Sequence, residues 1–267
     1  MRSRSPRTTR GQRAGVRTSY HADFALRYAR SRALSSHAKD VWVRELARVA
    51  DGRHISTVVD LGAGAGRFWP VLRAAWQPET IVAIDASMAM LAQSDEHNGV
   101  FRVAGDIDAI PLASASADLC FCSMSLHYSA DPIRVLYQLH EILRPGGTIC
   151  IRTGTPTTLN SFDFLRYFPT AKKAEFSALP DRTQVEFWLK SAGFRQIHSY
   201  TVAVQQSESR FARLGKVWAR GFPSLQLVPR AEFAGGFVCY TARLAIDAIR
   251  GIPIVFEETL LAAGRRP

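Results

Sequence analysis

The sequence predicts an α/β fold: a doubly wound, mostly parallel seven-stranded sheet with helical caps inserted late in the chain. Three observations carry that expectation. A short, mainly apolar run, Val58–Leu61, passes straight into a glycine-rich turn, Gly62–Gly66. A second apolar run closes on an acid, Asp85, 23 residues after Gly62. Further apolar runs then alternate with segments of helical period, the rhythm of βα units that build a parallel sheet.

The elements follow in order. From about Tyr20 to Val49, apolar residues such as Phe24, Leu34, Trp42 and Leu46 recur at helical spacing, with a break near Ser35-Ser36. Strands are expected at Thr57–Leu61, Thr80–Ile84, Val100–Ala104, Leu119–Ser123 and Thr148–Arg152. Helices are expected from Arg67 to Ala75, from Ser87 onward, and from Pro132 to Leu143. Arg144-Pro145-Gly146-Gly147 reads as a turn before the fifth strand. Residues Thr153–Pro180 form a Thr/Pro/Phe-rich excursion with little periodicity, followed by a helix, Thr183–Ser191, and a strand, Arg195–Val204. Ser207–Arg250 reads as largely helical with an interruption at Gly221-Phe222-Pro223-Ser224, and Ile252–Ala262 as a last strand. The expected organisation is a basic tail at 1–19 and one domain at 20–267, with caps at about 155–180 and 207–250.

A chain of 267 residues with 47% hydrophobic content buries a real core, which excludes wholesale disorder. The formal charge of +11 invites a nucleic-acid partner. About half of that excess, however, is six arginines (Arg2 to Arg17) that precede the first acid, Asp23. The rest has the balance of an ordinary domain, so the tail reads as disordered and nucleic acid is not favoured. The opening segment lacks an apolar stretch, and no uninterrupted apolar run spans a bilayer, so no membrane partner is expected. The cysteines Cys120, Cys122, Cys150 and Cys239 show no metal-ligand spacing and read as reduced core residues. Cys120 and Cys122 should share one face of a strand, with Phe121 on the other. A cytoplasmic protein without a structural metal is the expectation.

The glycine turn and Asp85 point to an adenosine-containing ligand at the carboxyl ends of the strands. Gly62, Gly64 and Gly66 leave room for close approach, and the following helix offers free N–H groups. Asp60 precedes the turn, where a carboxylate can order loop N–H groups. Asp85 offers two oxygens for two ribose hydroxyls. After the third strand, Asp106 can accept from an adenine amino group and Ile107 can cover the ring, with an Asx turn as the alternative role for Asp106. Asp108 suits that turn role better.

Four stretches, VVDLGAGAGRF (58–68), IVAIDASMAML (81–91), GDIDAIPLASASADLCFCSMSLHY (105–128) and EILRPGG (141–147), stand in an order and spacing that resemble the class I S-adenosylmethionine-dependent methyltransferases of the small-molecule and ubiquinone/menaquinone type. The resemblance covers 20–152 well and the rest in outline. It implies S-adenosylmethionine as cofactor and S-adenosylhomocysteine as product. Gly62, Ala63 and Gly64 would lie near the methionine end, Asp85 on the ribose, and Asp106 and Ile107 on the adenine. Ala86 and Met88 would line the adenosine, and Ser123 would approach the amino-acid moiety. The Tyr28-x3-Arg32 pattern resembles the family's lid helix, with Arg32 a partner for a carboxylate. The family also implies an antiparallel seventh strand, for which 254–262 is the candidate.

Methyl transfer needs alignment of donor and acceptor, and a base only where the acceptor loses a proton. His127, in the loop after the fourth strand, is the candidate for a base or substrate-orienting group, and Tyr128 for a substrate wall. Tyr20 and Arg152 are expected at the same mouth. Phe162, Phe164, Tyr167 and Phe168 are expected mainly to pack the first cap, and His198 to be structural. Transfer to oxygen, nitrogen or carbon of a small metabolite is the favoured function. RNA or tRNA methylation rests only on the basic tail, and a non-catalytic cofactor-binding scaffold is the alternative of another class. The missing Asn-Pro-Pro motif after strand four argues against methylases of exocyclic base amines. The Asp106-Ile107 segment and the Arg-Pro-Gly-Gly turn disfavour an NAD-dependent oxidoreductase.

Overall fold

A computed structural model describes residues 34–93, 98–206 and 208–265. Strands β1 (Thr57–Leu61), β2 (Thr80–Asp85), β3 (Val100–Ala104), β4 (Ala117–Ser123), β5 (Leu143–Thr153), β6 (Arg195–Gln205) and β7 (Val255–Gly264) form one seven-stranded sheet, in the order β3-β2-β1-β4-β5-β7-β6. β1 lies parallel between β2 and β4, and β7 runs antiparallel to both β5 and β6. The expected doubly wound sheet and its reversed last strand are both present. The order reverses at β1, so the carboxyl ends of β1 and β4 flank a crevice.

Both faces of the sheet are covered. One carries α1 (Ser36–Ala50) and α2 (Trp69–Trp76), which bury Trp42, Leu46, Trp69 and Leu72 against Val58, Phe121 and Cys150. The other carries α4 (Pro132–Ile142) and α7 (Arg182–Ser191), packed on Val59, Cys120, Cys122 and Ile149. Cys120 and Cys122 thus share a face and Phe121 takes the opposite one, as alternation along a strand requires. Helix starts follow local chemistry: the side chains of Ser35, Asp131 and Asp181 each accept an N–H in the first turn of α1, α4 and α7.

The helix expected from Ser87 onward is present as α3 (Met88–Leu91), capped by Ser87. Several other expectations are corrected. The Arg-Pro-Gly-Gly segment does not precede β5 but lies inside it as a bulge, since Ala117 pairs Leu143 and Leu119 pairs Thr148. Arg144 turns out of that bulge to Asp118 (2.6 Å), whose carboxylate also accepts the N–H groups of Ser56 and Thr57. The excursion after β5 is mostly helical: α5 (Pro156–Leu159), a 3-10 turn at Asp163–Tyr167 and α6 (Pro169–Ala178). A Thr155/Thr158 capping box starts it, a signal too short to show as periodicity. Cys239 is exposed, unlike the other three cysteines.

The second cap segment forms α8 (Arg210–Trp218), a 3-10 turn at Pro223–Leu227 and α9 (Arg230–Ile249). The two segments join in one apolar cluster, Leu159, Phe164 and Phe168 from the first with Val217, Phe233, Tyr240 and Leu244 from the second. Phe162 and Tyr167 pack on its edge, so the four aromatics do serve the cap core. Arg213 is buried there, held by Asp163 (2.8 Å), Glu208 (3.2 Å) and the Tyr240 hydroxyl (3.2 Å).

Candidate functional site

The glycine turn is shaped by the strand ends on either side. Gly62 and Ala63 donate to the Ile84 carbonyl (2.8 and 3.0 Å), Gly64 to the Asp85 carboxylate (2.8 Å) and Gly66 to Ala63 (3.0 Å). Gly62 has φ +75°, and a Cβ there would sit 2.3 Å from Ser125 Cβ. No other residue fits, because both the left-handed backbone and the space behind it forbid a side chain. Gly66 (φ +68°) is closed off similarly by the Trp69 ring, 2.7 Å from an added Cβ.

Asp60 is buried, and its carboxylate accepts from the Trp69 indole N–H at 3.0 Å. The turn's N–H groups described above go to Ile84, Asp85 and Ala63 instead, which corrects the loop-ordering role expected of Asp60. Burial pushes its pKa up to about 7, the Trp69 bond opposing and the nearby Asp85 charge adding to the rise. A carboxyl raised from 3.8 binds its proton more tightly in the folded state, so its stabilising contribution is complete below pH 3.8 and lost as pH rises through 7. Asp60→Asn is therefore expected to raise stability above pH 7 by up to about 4 kcal/mol. Urea unfolding at pH 8 and pH 5 should show the gain shrinking at the lower pH.

Asp85 is pinned at both oxygens. One accepts the Gly64 N–H, and the other accepts the Ser87 N–H at 2.8 Å. Each oxygen keeps a further acceptor position, and the carboxylate is fixed between the glycine turn and α3. Ala86 is exposed beside it and Met88 is 55% exposed. Beyond β3, Asp106 is exposed and Ile107 half-buried. Asp106 accepts the Asp108 N–H (3.0 Å), so the Asx turn belongs to Asp106, while Asp108 accepts from the Ser129 hydroxyl. The expectation that Asp108 makes that turn is corrected, because Ser129 engages its carboxylate.

The β4 end is the tightest part of the site. Met124 follows Ser123 at φ +56°, a left-handed backbone that costs a side-chain-bearing residue energy. It is held by its N–H to the Arg152 carbonyl (2.8 Å), and Gly154 N–H reaches its sulfur (3.2 Å). The Ser123 hydroxyl accepts from Arg152 (2.9 Å). The Arg152 side chain is only 4% exposed, pairs with Glu258 on β7 and lies over the rings of Trp42 (5.1 Å) and Phe68 (4.8 Å). Asp60, Ser123, Arg152 and Glu258 thus bring polar groups onto one face of the sheet near its carboxyl edge; the sequence pattern singles out Asp60, Ser123 and Arg152 but gives no role to Trp69, Ser125 or Glu258. Ser125 and Trp69 sit within reach of the glycine motif. Glu258 lies 106 residues from Arg152, and no sequence signal joins them.

His127 lies in the one-turn 3-10 helix Leu126–Tyr128, its ring 4.2 Å from the exposed Tyr128. Its Nδ1 is buried and makes no hydrogen bond among the described residues. Burial pulls its pKa down to about 4, so the imidazole is neutral at pH 7. A histidine lowered from 6.5 contributes stability that is present above pH 6.5 and lost as pH falls through 4. His198, on β6, is exposed. Tyr20, Tyr28, Arg32 and the 1–19 tail lie outside the described residues. Among the described residues no three His, Cys, Asp or Glu side chains group to hold a metal, and no helix is long and apolar enough to cross a membrane. A cavity of about 300 Å³ lies in the cap, lined by Asn160, Asp163, Arg166, Tyr167, Lys172 and Arg243 among others, and includes no residue of the glycine turn.

Residues 59–151 match the family model of a methyltransferase domain. A malonyl-[acyl-carrier protein] O-methyltransferase of Methylococcus capsulatus is 31% identical over 144 residues, 52% of each chain. The C-methyltransferase UbiE of ubiquinone/menaquinone biosynthesis from Rubrivivax gelatinosus is 30% identical over 117 residues, 43% of this chain and 47% of that one. The chain spans about half the length of these curated relatives. Among solved structures, phosphoethanolamine N-methyltransferase 2 of Haemonchus contortus with S-adenosyl-L-methionine aligns at a TM-score of 0.59 and 17% identity, over 94% of this chain and 59% of that one. The [4+2]-cyclase SpnF aligns at 0.53 and 18%, over 88% and 84%. These structural likenesses establish the fold.

Proposed function

We propose, from the match of residues 59–151 to the methyltransferase-domain family model, that the protein transfers a methyl group from S-adenosylmethionine to an oxygen, nitrogen or carbon of a small organic acceptor. The observation that carries the reading is the doubly pinned Asp85 beside the left-handed glycine turn. Those residues fit the cofactor. The two remaining acceptor positions on Asp85 suit a pair of ribose hydroxyls, and the exposed Ala86, Met88 and Asp106 with half-buried Ile107 offer an apolar and acceptor-bearing surface for adenine. Gly62, Ala63 and Gly64 leave backbone, not side chain, facing the methionine half, and buried Asp60 and half-buried Ser123 lie on its side of the sheet. When bound, the cofactor supplies the electrophilic methyl group.

The protein's own task is alignment and exclusion of water. The strained Met124 backbone fixes the β4 loop and so the direction in which His127 and Tyr128 face. With a pKa near 4, His127 is a weak base at neutral pH, and we assign it to orienting the acceptor, with Tyr128 as an outer wall. His127→Asn is then expected to lower kcat/KM by about tenfold without reshaping the pH profile between 6 and 9. A proton-transfer role would instead cost about a hundredfold or more in kcat.

The name of the Methylococcus relative makes a carboxylate carried on acyl carrier protein the first acceptor to try. The same fold carries a [4+2]-cyclase, so a turnover assay decides. Purified protein with methyl-labelled S-adenosylmethionine and fractionated source extract, with and without nuclease, is expected to yield a labelled, nuclease-insensitive product. Label that disappears on nuclease treatment would replace this reading with RNA methylation. Failure to bind the cofactor at all would remove it.

A further inference from the structure

Helix α8 turns two large rings outward. Phe211 and Trp218 fall seven residues apart, on one face, while Leu214 between them packs partly on the cap cluster and the Trp218 ring touches Phe237. Phe211 is 86% and Trp218 66% exposed, whereas the face packed into the cap carries the charged Arg213 together with Val217. Burial would ordinarily sort these residues the other way, so the outward rings call for a partner.

Helix α9 continues the same surface. It runs antiparallel to α8: the Trp218 ring stands 5.0 Å from Phe237 near one end, and Arg210 reaches the Asp247 carbonyl (3.2 Å) near the other. Its outward face holds Gly235, Val238, Ala242, Ala245, Ile246 and Ile249 with no charge among them, Val238 being 68% and Ile249 88% exposed. Cations flank this apolar ground, although Arg213 lies buried beneath it. Between 208 and 250 the chain has seven arginines and lysines against three acids. Those acids are engaged, Glu208 by Arg213 and Lys216, Glu232 by Thr170 and Asp247 by Arg243. Arg230 and Arg250 stand exposed at the two ends of α9.

We propose that the α8–α9 face docks on an anionic lipid surface. Aromatic and aliphatic side chains on one side of a helix, with cations at its flanks, suit the boundary between headgroups and acyl chains. The charge decides against a second copy of the chain, because pairing two such faces brings like charges together. The absence of a spanning run led to an expectation of no membrane partner, but docking on a surface needs none. The proposal stands apart from the methyl-transfer reading, and its test requires no turnover.

The experiment is co-sedimentation of the full chain with vesicles of phosphatidylcholine containing phosphatidylglycerol, and with phosphatidylcholine alone. Wild type is expected to bind the anionic vesicles, less so in added salt. The double variant Phe211→Ser/Ile249→Ser, whose side chains are 86% and 88% exposed and lie outside the cap cluster, should keep its Tm and is expected to bind at least about tenfold more weakly. No binding by wild type overturns the proposal. So does equal binding by the double variant, since the arginines before Asp23 would then carry the attraction. A wild-type dimer that the double variant disperses, with no vesicle binding by either, assigns the face to self-association instead.

Discussion

Asp85→Ala is expected to weaken S-adenosylmethionine binding about a hundredfold or more. Two hydrogen bonds to a charged carboxylate are lost, each worth about 1.5–3 kcal/mol, and tenfold in affinity corresponds to about 1.4 kcal/mol. The same substitution also releases the Gly64 and Ser87 N–H groups that the carboxylate now holds, so the turn loses its anchor along with the ligand contact. Titration calorimetry with the cofactor measures the loss, and a parallel melting curve shows whether the domain stays folded. Asp85→Asn, which keeps one acceptor oxygen, should fall between the two. Unchanged affinity in a folded Asp85→Ala protein would remove the ribose assignment and, with it, the main support for the cofactor.

The second large effect belongs to stability. Arg152 and Glu258 form an ion pair with side chains 4% and 14% exposed. Removing one partner strands a buried charge, so Arg152→Ala should cost about 3–5 kcal/mol. For a domain of this size that is a fall in Tm of roughly 10 °C. Replacing both partners by apolar residues, Arg152→Met with Glu258→Leu, should recover most of the loss, because neither charge then needs solvating. Thermal melts of the single and double variants test this. A single variant as stable as wild type would mean that the pair is solvated rather than buried. The comparison also bears on activity: Arg152 holds Ser123 at 2.9 Å and, through its carbonyl, the strained Met124. A double variant that regains stability without regaining turnover would make Arg152 a positioning residue for the β4 loop.

Much of this was legible from local patterns. Strands β1 and β3 lie where their apolar runs end, and β7 pairs antiparallel as the family resemblance implied. Their signals are short-range: alternation or continuity of apolar residues, and glycines where the backbone must be left-handed. The bulge within β5 was misread as a preceding turn, because Gly146-Gly147 serves either purpose and only the pairing of Leu143 with Ala117 tells them apart. The first cap was read as irregular because its helices are one to three turns long and share their apolar residues with α8 and α9. No window along the chain contains that cluster.

The sequence by itself determined the α/β class, the strand that leads into Gly62 and the acid that answers it at Asp85, since each depends on neighbours a few residues away. Tertiary structure decided the rest of the site. It gave Asp60 to the Trp69 indole, placed Ser125 behind Gly62, buried His127 in its neutral form and set Glu258 against Arg152. Each of those is a matter of burial and of which strands lie side by side. Desolvation and ion pairing depend on distance in space, and the order β1-β4-β5-β7 brings together residues that the chain keeps far apart.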